Sequence, residues 1–259
     1  MLSLFRKNKL ESPIGDTRLW IEELFKLAFK GFSKERISKK KLLLPNESDF
    51  PILYNGSDDS AKSTLMIVAS QMEMNADDFV LTFYDGSAPK YDEDMNYNIT
   101  TDERGNEIHP AAVFMGRDKD NKYQVCIEAS QLHDPERLVA TLAHEVGYIK
   151  MYYQYNMEKI GDISADIFPL FFGLGIFVAN APIQLYKNEL SWGGRKTQKY
   201  LTKDLWGYIL ALYAFLREEQ HPKWTHYLIP EVKKYFRQSE RFIWENNEKI
   251  FNDPYQANE

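Results

Sequence analysis

The spacing of hydrophobic residues predicts mixed structure in the first half of the chain and helices in the second. Apolar positions recur at helical spacing over 16–32 and from Ser60 to Met74, which predicts two amphipathic helices. Three β-rich runs are also present: "DFVLTFYD" from Asp78, then "AAVFMGR" and "KYQVCIEA" on either side of a predicted hairpin turn, "DKDN". A shorter run, "KLLLP", predicts a strand that stops at Pro45.

From Asp134 onward the pattern is helical almost to the end. Asp134 is a good N-cap, and Pro135 suits the first position of a helix. The predicted helices span roughly 135–155, 163–180, 203–219 and 229–250. We therefore expect an α+β protein with a small α+β half at 1–130 that holds a few strands. A mainly helical half at 131–259 follows, carries the His-Glu helix and shares one core with the first. Polar residues 86–108 predict a long loop.

Composition narrows the class of protein. The chain has 259 residues, of which 44% are hydrophobic and 27% charged, so it can bury a sizeable core. Its net charge of -6 disfavours nucleic acid as a partner. Cys126 is the single cysteine, which excludes an intrachain disulfide and a cysteine-based zinc site. The N-terminal residues lack the apolar core of a signal peptide, and we expect a cytoplasmic location.

The longest apolar run, "IFPLFFGLGIFVANAPI", extends from Ile167 to Ile183. Its length is near the minimum for a membrane span. The run also contains two glycines, two prolines and Asn180, which favours a helix buried in a soluble core. We therefore predict no association with a membrane.

The candidate chemistry lies in "TLAHEVGYIK", residues 141–150. Zinc peptidases carry His-Glu-x-x-His on a helix, and here Tyr148 stands where the second histidine would be. On a helical wheel, His144, Glu145 and Tyr148 share one edge of the predicted buried stripe. That stripe consists of Leu138, Leu142, Val146 and Ile149.

The substitution matters because two histidines one turn apart can both bind zinc, while the glutamate takes a proton from the bound water. A free phenol has a pKa of about 10, so Tyr148 becomes a ligand only if the metal lowers that pKa. Each residue also has an ordinary structural interpretation. His144 fits a hydrogen-bonded residue at the border of the core, and Tyr148 fits a packing position.

Three segments together resemble a family of uncharacterised bacterial proteins with a His-Glu-x-x-His helix, a zincin-like group of metallopeptidase type. The segments are "DPERLVATLAHEVGYIKM", "ISADIFPLFFGLGIFVAN" and "YLTKDLWGYILALYAFL". The resemblance covers roughly residues 40–220, and its specific motifs lie between 134 and 215.

The resemblance implies that His144 is a metal ligand, Glu145 the general base and Asp166 the third ligand, with Asp162 near a second acidic position. Tyr148 takes the place of the missing histidine ligand. Pro169 replaces a non-proline residue in the second helix. Without the resemblance, an aspartate such as Asp166 in the first turn of a helix is explained by the helix dipole alone.

These features favour a degenerate, zincin-like pseudo-enzyme without peptidase activity that binds a protein or peptide and binds zinc at most weakly. One alternative is an active metal-dependent hydrolase with an unusual site of His144, Tyr148 and Asp166. A second is a non-catalytic interaction protein that shares only the fold. Further histidines at positions 109, 133, 221 and 226 are potential ligands in principle, and the sequence indicates neither a substrate nor an oligomeric state.

Overall fold

The computed structural model describes residues 11–29, 32–86, 100–101, 107–108, 110–157, 162–181, 191–192, 195–196 and 201–250. By internal contacts the chain groups into two compact units. One consists of Met1–Lys39 with Thr202–Glu259, and the other of Lys40–Leu201. The division at residue 130 that the sequence suggested stays a prediction.

Helices are the predominant secondary structure among the described residues. The helices are α1 Thr17–Phe29, α2 Lys34–Lys39, α3 Asp58–Gln71, α4 Pro135–Gln154, α5 Asp162–Ile167, α6 Gly175–Asn180, α7 Lys203–Leu216 and α8 Pro230–Glu245. The strands are β1 Phe79–Tyr84, β2 Thr100–Thr101, β3 Glu107–Ile108, β4 Ala112–Arg117, β5 Tyr123–Glu128, β6 Ser191–Trp192 and β7 Arg195–Lys196.

The mixed α+β class is confirmed, but the position of the strands differs from the prediction. The main sheet has three strands in the order β1-β5-β4. Strands β1 and β5 are parallel, whereas β4 and β5 are antiparallel. These strands lie in the middle of the chain, so the expectation of a small α+β half at the N-terminus that holds the strands was wrong. The described residues before β1 form helices and connecting segments because their apolar spacing is that of helices.

The predicted hairpin is confirmed as β4 and β5. Its turn is closed by the backbone N–H of Asp118, which donates to the carbonyl of Lys122 at 2.9 Å. The pairing register shifts between Phe114 and Arg117, and Gly116 between them has φ +88°. A bulge with a left-handed glycine changes the direction of the strand. The side chains on either side of it therefore point in different directions from those of a regular strand.

The strand expected at "KLLLP" was wrong. The backbone N–H of Leu43 donates to the carbonyl of Gly173 at 2.9 Å. The carbonyl of Lys41 accepts from the Gln71 side chain at 2.8 Å. Because these backbone groups are satisfied by separate elements, the segment has no continuous ladder with a second strand.

The single helix expected over 163–180 is broken into α5, a 3-10 turn at Phe168–Phe172 and α6. Pro169 has no backbone N–H to donate, and Gly173 takes a left-handed conformation with φ +84°. The apolar run is thus divided into short buried pieces. Within the described ranges, no helix has both the length and the apolar character needed to cross a membrane.

The unit formed by the two ends of the chain contains α1, α2, α7 and α8. Helices α7 and α8 pack very closely at Gly207, where an added Cβ would lie 2.4 Å from the Cβ of Tyr235. The unit of Lys40–Leu201 contains α3 to α6 and the sheet, and it carries every residue of the candidate site.

Candidate functional site

Helix α4 carries the His-Glu pair, and its local sequence fixes where it begins. The Asp134 carboxylate accepts from the backbone N–H of Arg137 at 3.0 Å, and Pro135 is the first helical residue. This confirms the predicted cap. Nine and ten residues further along, His144 and Glu145 are buried at 8% exposure each. Both side chains therefore sit in an environment where water contributes little to their solvation.

His144 and Asp166 meet directly. The Nδ1 atom of His144 lies 2.8 Å from Oδ1 of Asp166, and the carboxylate is only 5% exposed. Helix α5 reaches α4 next to Gly147, where a Cβ added to the glycine would lie 3.6 Å from the carbonyl oxygen of Ala165. The structure thus brings together two residues that are 22 positions apart in the sequence.

This hydrogen bond selects one form of the imidazole. A carboxylate accepts hydrogen bonds, so Nδ1 of His144 is the nitrogen that carries the proton shared with Asp166. In the neutral ring this leaves Nε2 as the atom with a lone pair. Nε2 is therefore the nitrogen that could accept a proton or bind a cation, and Asp166 holds the ring in position for it.

Glu145 faces strand β4, which packs against α4. Burial raises the pKa of its carboxyl group above the ordinary value, and this effect exceeds the opposing influence of His144 and of a hydrogen bond from the backbone of Phe114. The neutral form is therefore favoured more than in an exposed glutamate. A general base in a peptidase needs a pKa raised in this direction, and a buried structural glutamate has the same property.

Strand β4 is an edge of the three-stranded sheet, and its pairing shows which backbone groups point outward. Glu128 donates to the carbonyl of Ala111, and the next pairs in register are Ala112 with Ile127 and Val113 with Cys126. In an antiparallel ladder every second residue turns its N–H and C=O away from the partner strand. The residues that turn their N–H and C=O groups outward are therefore Ala112 and Phe114. The hydrogen bond from the Phe114 backbone to the Glu145 carboxyl group agrees with this assignment.

Tyr148 is half-buried one turn beyond His144, as predicted from the helical spacing. Its ring centroid lies 6.4 Å from that of Phe114 and 6.4 Å from that of Tyr152, with the two tyrosine rings nearly parallel at 5°. Tyr148 thus belongs to an aromatic surface that continues from the His-Glu pair towards the end of α4.

The donor set does not fit a conventional zinc site. Two ligand atoms of a tetrahedral zinc are about 3.3 Å apart, as follows from bonds of about 2.0 Å. Nδ1 of His144 and Oδ1 of Asp166 are closer, at the distance of a hydrogen bond. Asp166 therefore fits an outer-shell partner of His144 better than a second ligand beside it. Its role as a direct ligand stays a prediction, as does that of Tyr148.

The described residues give no sign that the other candidate ligands contribute to a metal site. Asp162 begins α5, but its side chain lies outside the described part of the structure, and so does His109. His133 ends a 3-10 turn before α4, and His226 lies in another 3-10 turn, in the unit formed by the two ends of the chain. His221 is bound to Glu240 through Nδ1 at 3.0 Å. Among the described residues, no group of three His, Cys, Asp or Glu side chains is arranged to hold a metal ion.

Two features of the site were not predicted from the sequence. One is the bond between Glu145 and the backbone of Phe114, since backbone contacts leave no mark on residue identity. The other is the ring cluster in which Phe114 meets Tyr123, Tyr148 and Tyr153. The alternating apolar pattern of "AAVFMGR" predicted the strand but not which helix would cover it.

Comparison of the chain with protein-family models, with curated proteins and with solved structures finds no significant match in any of the three. The resemblance to a zincin-like group therefore depends on the sequence motifs, and membership of that group stays a prediction.

Proposed function

We propose that this protein is a degenerate zincin-like protein that binds a peptide in extended conformation along strand β4 and does not cleave it. The observation that carries the proposal is the outward backbone edge of β4 beside the His-Glu helix. Peptides bind such edges by adding a strand, and the main-chain hydrogen bonds supply much of the affinity.

The edge has the groups that strand addition requires. Ala112 and Phe114 turn their N–H and C=O groups away from β5. Among the described residues, the backbone of Ala112 has no hydrogen-bond partner on that side. The aromatic rings of Phe114 and Tyr148 lie next to the edge and offer apolar surface to alternate side chains of a peptide.

Glu145 stands at the same edge. Its carboxyl group accepts from the Phe114 backbone, so a peptide carbonyl that approaches this N–H competes with Glu145. Burial raises the pKa of Glu145 and so favours its neutral form, which is a weaker hydrogen-bond acceptor than the ionised form. Displacement by a peptide is thereby made easier.

Tyr148 is the reason to expect that the bound peptide is not cleaved. A peptidase site of this type needs two imidazoles to hold the ion that activates water. The phenol of Tyr148 stands one turn from His144 in place of the second imidazole. Binding can outlast such a substitution, because it depends on the strand edge and not on the metal ligands.

The test measures binding of a fluorescein-labelled hexapeptide amide of alternating threonine and valine by fluorescence anisotropy. We expect Ala112→Pro to weaken binding by about tenfold, since it removes one outward N–H, equivalent to roughly 1.4 kcal/mol. Ala112→Val keeps the N–H and is the matched control. Loss of binding in both variants, or no binding by the wild type, would contradict the proposal. Mass spectrometry of the recovered peptide checks that it stays intact.

A metal-dependent hydrolase is the second candidate, and the contact between His144 and Asp166 favours it. A carboxylate on one imidazole nitrogen is the usual way to orient a metal-bound histidine through the other. Elemental analysis of dialysed protein purified without added metal separates the two candidates. Stoichiometric zinc together with a cut peptide would favour the hydrolase.

A further inference from the structure

Arg117 lies at the end of β4, beyond the bulge, and its side chain is fixed in place by four contacts. The guanidinium carbon lies 4.5 Å from the ring centroid of Tyr123 and 4.5 Å from that of Tyr153. Its amino groups donate to the side chain of Asn121 at 2.6 Å and to the hydroxyl of Tyr123 at 2.8 Å. A guanidinium held in this way loses little further freedom when it binds a ligand.

The two rings lie close to each other beside the guanidinium group. The centroids of Tyr123 and Tyr153 are only 5.2 Å apart, so both rings lie in roughly the same direction from the guanidinium carbon. Arg117 is exposed, and it forms no ion pair with a described residue. Its charge and its remaining N–H groups are therefore available to an anion from solution.

The turn next to Arg117 carries charges of both signs. Lys119 and Lys122 are exposed on it, and so is Asp120. One oxygen of the Asp118 carboxylate accepts from two backbone N–H groups, at positions 120 and 122, both at 2.9 Å. The two lysines and the two aspartates of the turn balance, so the net charge of the segment 117–122 is that of Arg117 itself. Attraction of a carboxylate to this place therefore depends on Arg117 and not on the turn as a whole.

Aromatic rings connect Arg117 to the His-Glu pair. Tyr153 meets Phe114 at 6.0 Å, and Phe114 meets Tyr148 at 6.4 Å. Along α4, Tyr153 follows His144 by nine residues, which corresponds to about 13.5 Å at 1.5 Å per residue. An extended peptide covers that distance with about four residues at 3.3 Å each. A short extended peptide is thus as long as the stretch of α4 between His144 and Tyr153, the ring that contacts Arg117.

We propose that Arg117 is the residue that selects the ligand, by binding a carboxylate of a peptide lying along β4. The inference rests on the proposed peptide binding and names the chemistry of the ligand at that site. The carboxylate is either the C-terminus of the peptide or the side chain of an acidic residue. Both present two oxygens to the planar fork of the guanidinium.

The experiment uses the full chain and four labelled hexapeptides of alternating threonine and valine. One ends in an amide, one in a free carboxylate, and two are amides with glutamate near one end or the other. We expect at least one carboxylate peptide to bind about tenfold tighter than the plain amide at low salt, which is the range of a charge-assisted hydrogen bond. The free C-terminus and the glutamate peptides distinguish the two sources of the carboxylate.

Variants then assign the preference to Arg117. Arg117→Gln should remove the advantage of the carboxylate peptide, and Arg117→Lys should keep part of it, since lysine retains the charge but not the fork. Lys122→Gln, which removes one positive charge from the same turn, should preserve most of it. Equal losses in the Arg117→Gln and Lys122→Gln variants would overturn the inference, since general charge would then explain the preference.

The two proposals fail in different ways. If all four peptides bind the wild type equally, Arg117 does not select a carboxylate, and peptide binding along β4 still stands. If none of the four binds, both proposals are wrong. Thermal unfolding of each variant shows whether it is folded, and Arg117→Lys provides a conservative change if Arg117→Gln is unstable.

Discussion

At the scale of single residues, the candidate site consists of polar groups that the core has nearly enclosed. His144, Glu145 and Asp166 are all buried, and the first and third are bound to each other. Buried polar groups require partners, so each of them constrains the position of its neighbours. Burial therefore governs how these side chains ionise and what they bind.

Tyr148→His should raise the affinity for zinc. The helix places position 148 one turn from His144, so the variant restores a pair of imidazoles on the same edge. The shorter ring should cost about 1 kcal/mol in packing. Zinc affinity is measured by competition with a chromogenic chelator. Tyr152→His is the matched control, because it adds a histidine too far from His144 to share an ion. If the two variants bind zinc equally, position 148 does not face a metal site.

Glu145→Gln should stabilise the protein at neutral pH. Because burial raises the pKa of this carboxyl group above 4.5, its ionisation opposes folding. The stability that the neutral carboxyl group contributes is fully present below pH 4.5. It is lost as the pH rises through the raised pKa of the folded protein. The glutamine side chain cannot ionise, so the variant does not lose this stability. The difference between its free energy of urea unfolding and that of the wild type should therefore increase from acid to neutral pH. Glu47→Gln, on an exposed side chain, is the control. An advantage that is independent of pH would be inconsistent with this account.

At the scale of elements, the site depends on a helix that breaks. Helix α5 ends at Ile167, and the chain then turns through Phe168–Phe172 to Gly173 before α6 begins. This short course allows α5 to place Asp166 against α4. The turn is held from outside by the segment near Leu43, which bonds to the carbonyl of Gly173.

Gly173→Ala should be strongly destabilising, by at least about 2 kcal/mol, as expected for a strained backbone combined with overpacking. Gly173 has φ +84°, and an added Cβ would lie 2.1 Å from the carbonyl oxygen of Lys41. Gly147→Ala is the control, since an added Cβ there meets Met72 and Pro169 at 3.5 Å. That variant should be neutral or more stable by up to about 1 kcal/mol through helix propensity. Chemical denaturation compares the two, and similar midpoints would refute the argument.

At the scale of the whole molecule, residues from the two ends of the chain form one compact unit. The Tyr208 hydroxyl on α7 donates to Glu22 on α1 at 2.6 Å, and Arg18 donates to the same carboxylate at 2.7 Å. Glu22 is 2% exposed, so the bonds are shielded from water. Because α1 and α7 are separated by most of the sequence, this buried network ties the first part of the chain to the last.

Tyr208→Phe should destabilise the protein by about 1–3 kcal/mol, the range for losing a hydrogen bond to a buried charged group. The ring remains, so the lost bond to Glu22 dominates the change. Tyr235→Phe, on a less buried tyrosine of the same unit, serves as the comparison and should have little effect. Thermal unfolding monitored by circular dichroism gives both values. Equal stability of the Tyr208 variant and the wild type would show that the bond contributes nothing.

The sequence by itself determined most helices, the β4–β5 hairpin and the edge of α4 on which His144, Glu145 and Tyr148 lie. These features depend on local spacing, capping and turn residues, which act over a few positions. It also predicted that Asp166 would share a site with His144, although only through a resemblance.

Tertiary structure decided the rest. The contact of His144 with Asp166, the bond of Glu145 to the Phe114 backbone and the contact of Arg117 with the Tyr153 ring all join segments that are distant in sequence. Similarly, "KLLLP" has the composition of a strand, but its backbone groups find partners at Gly173 and Gln71. Such outcomes follow from which surfaces pack together, and local patterns carry no record of that choice.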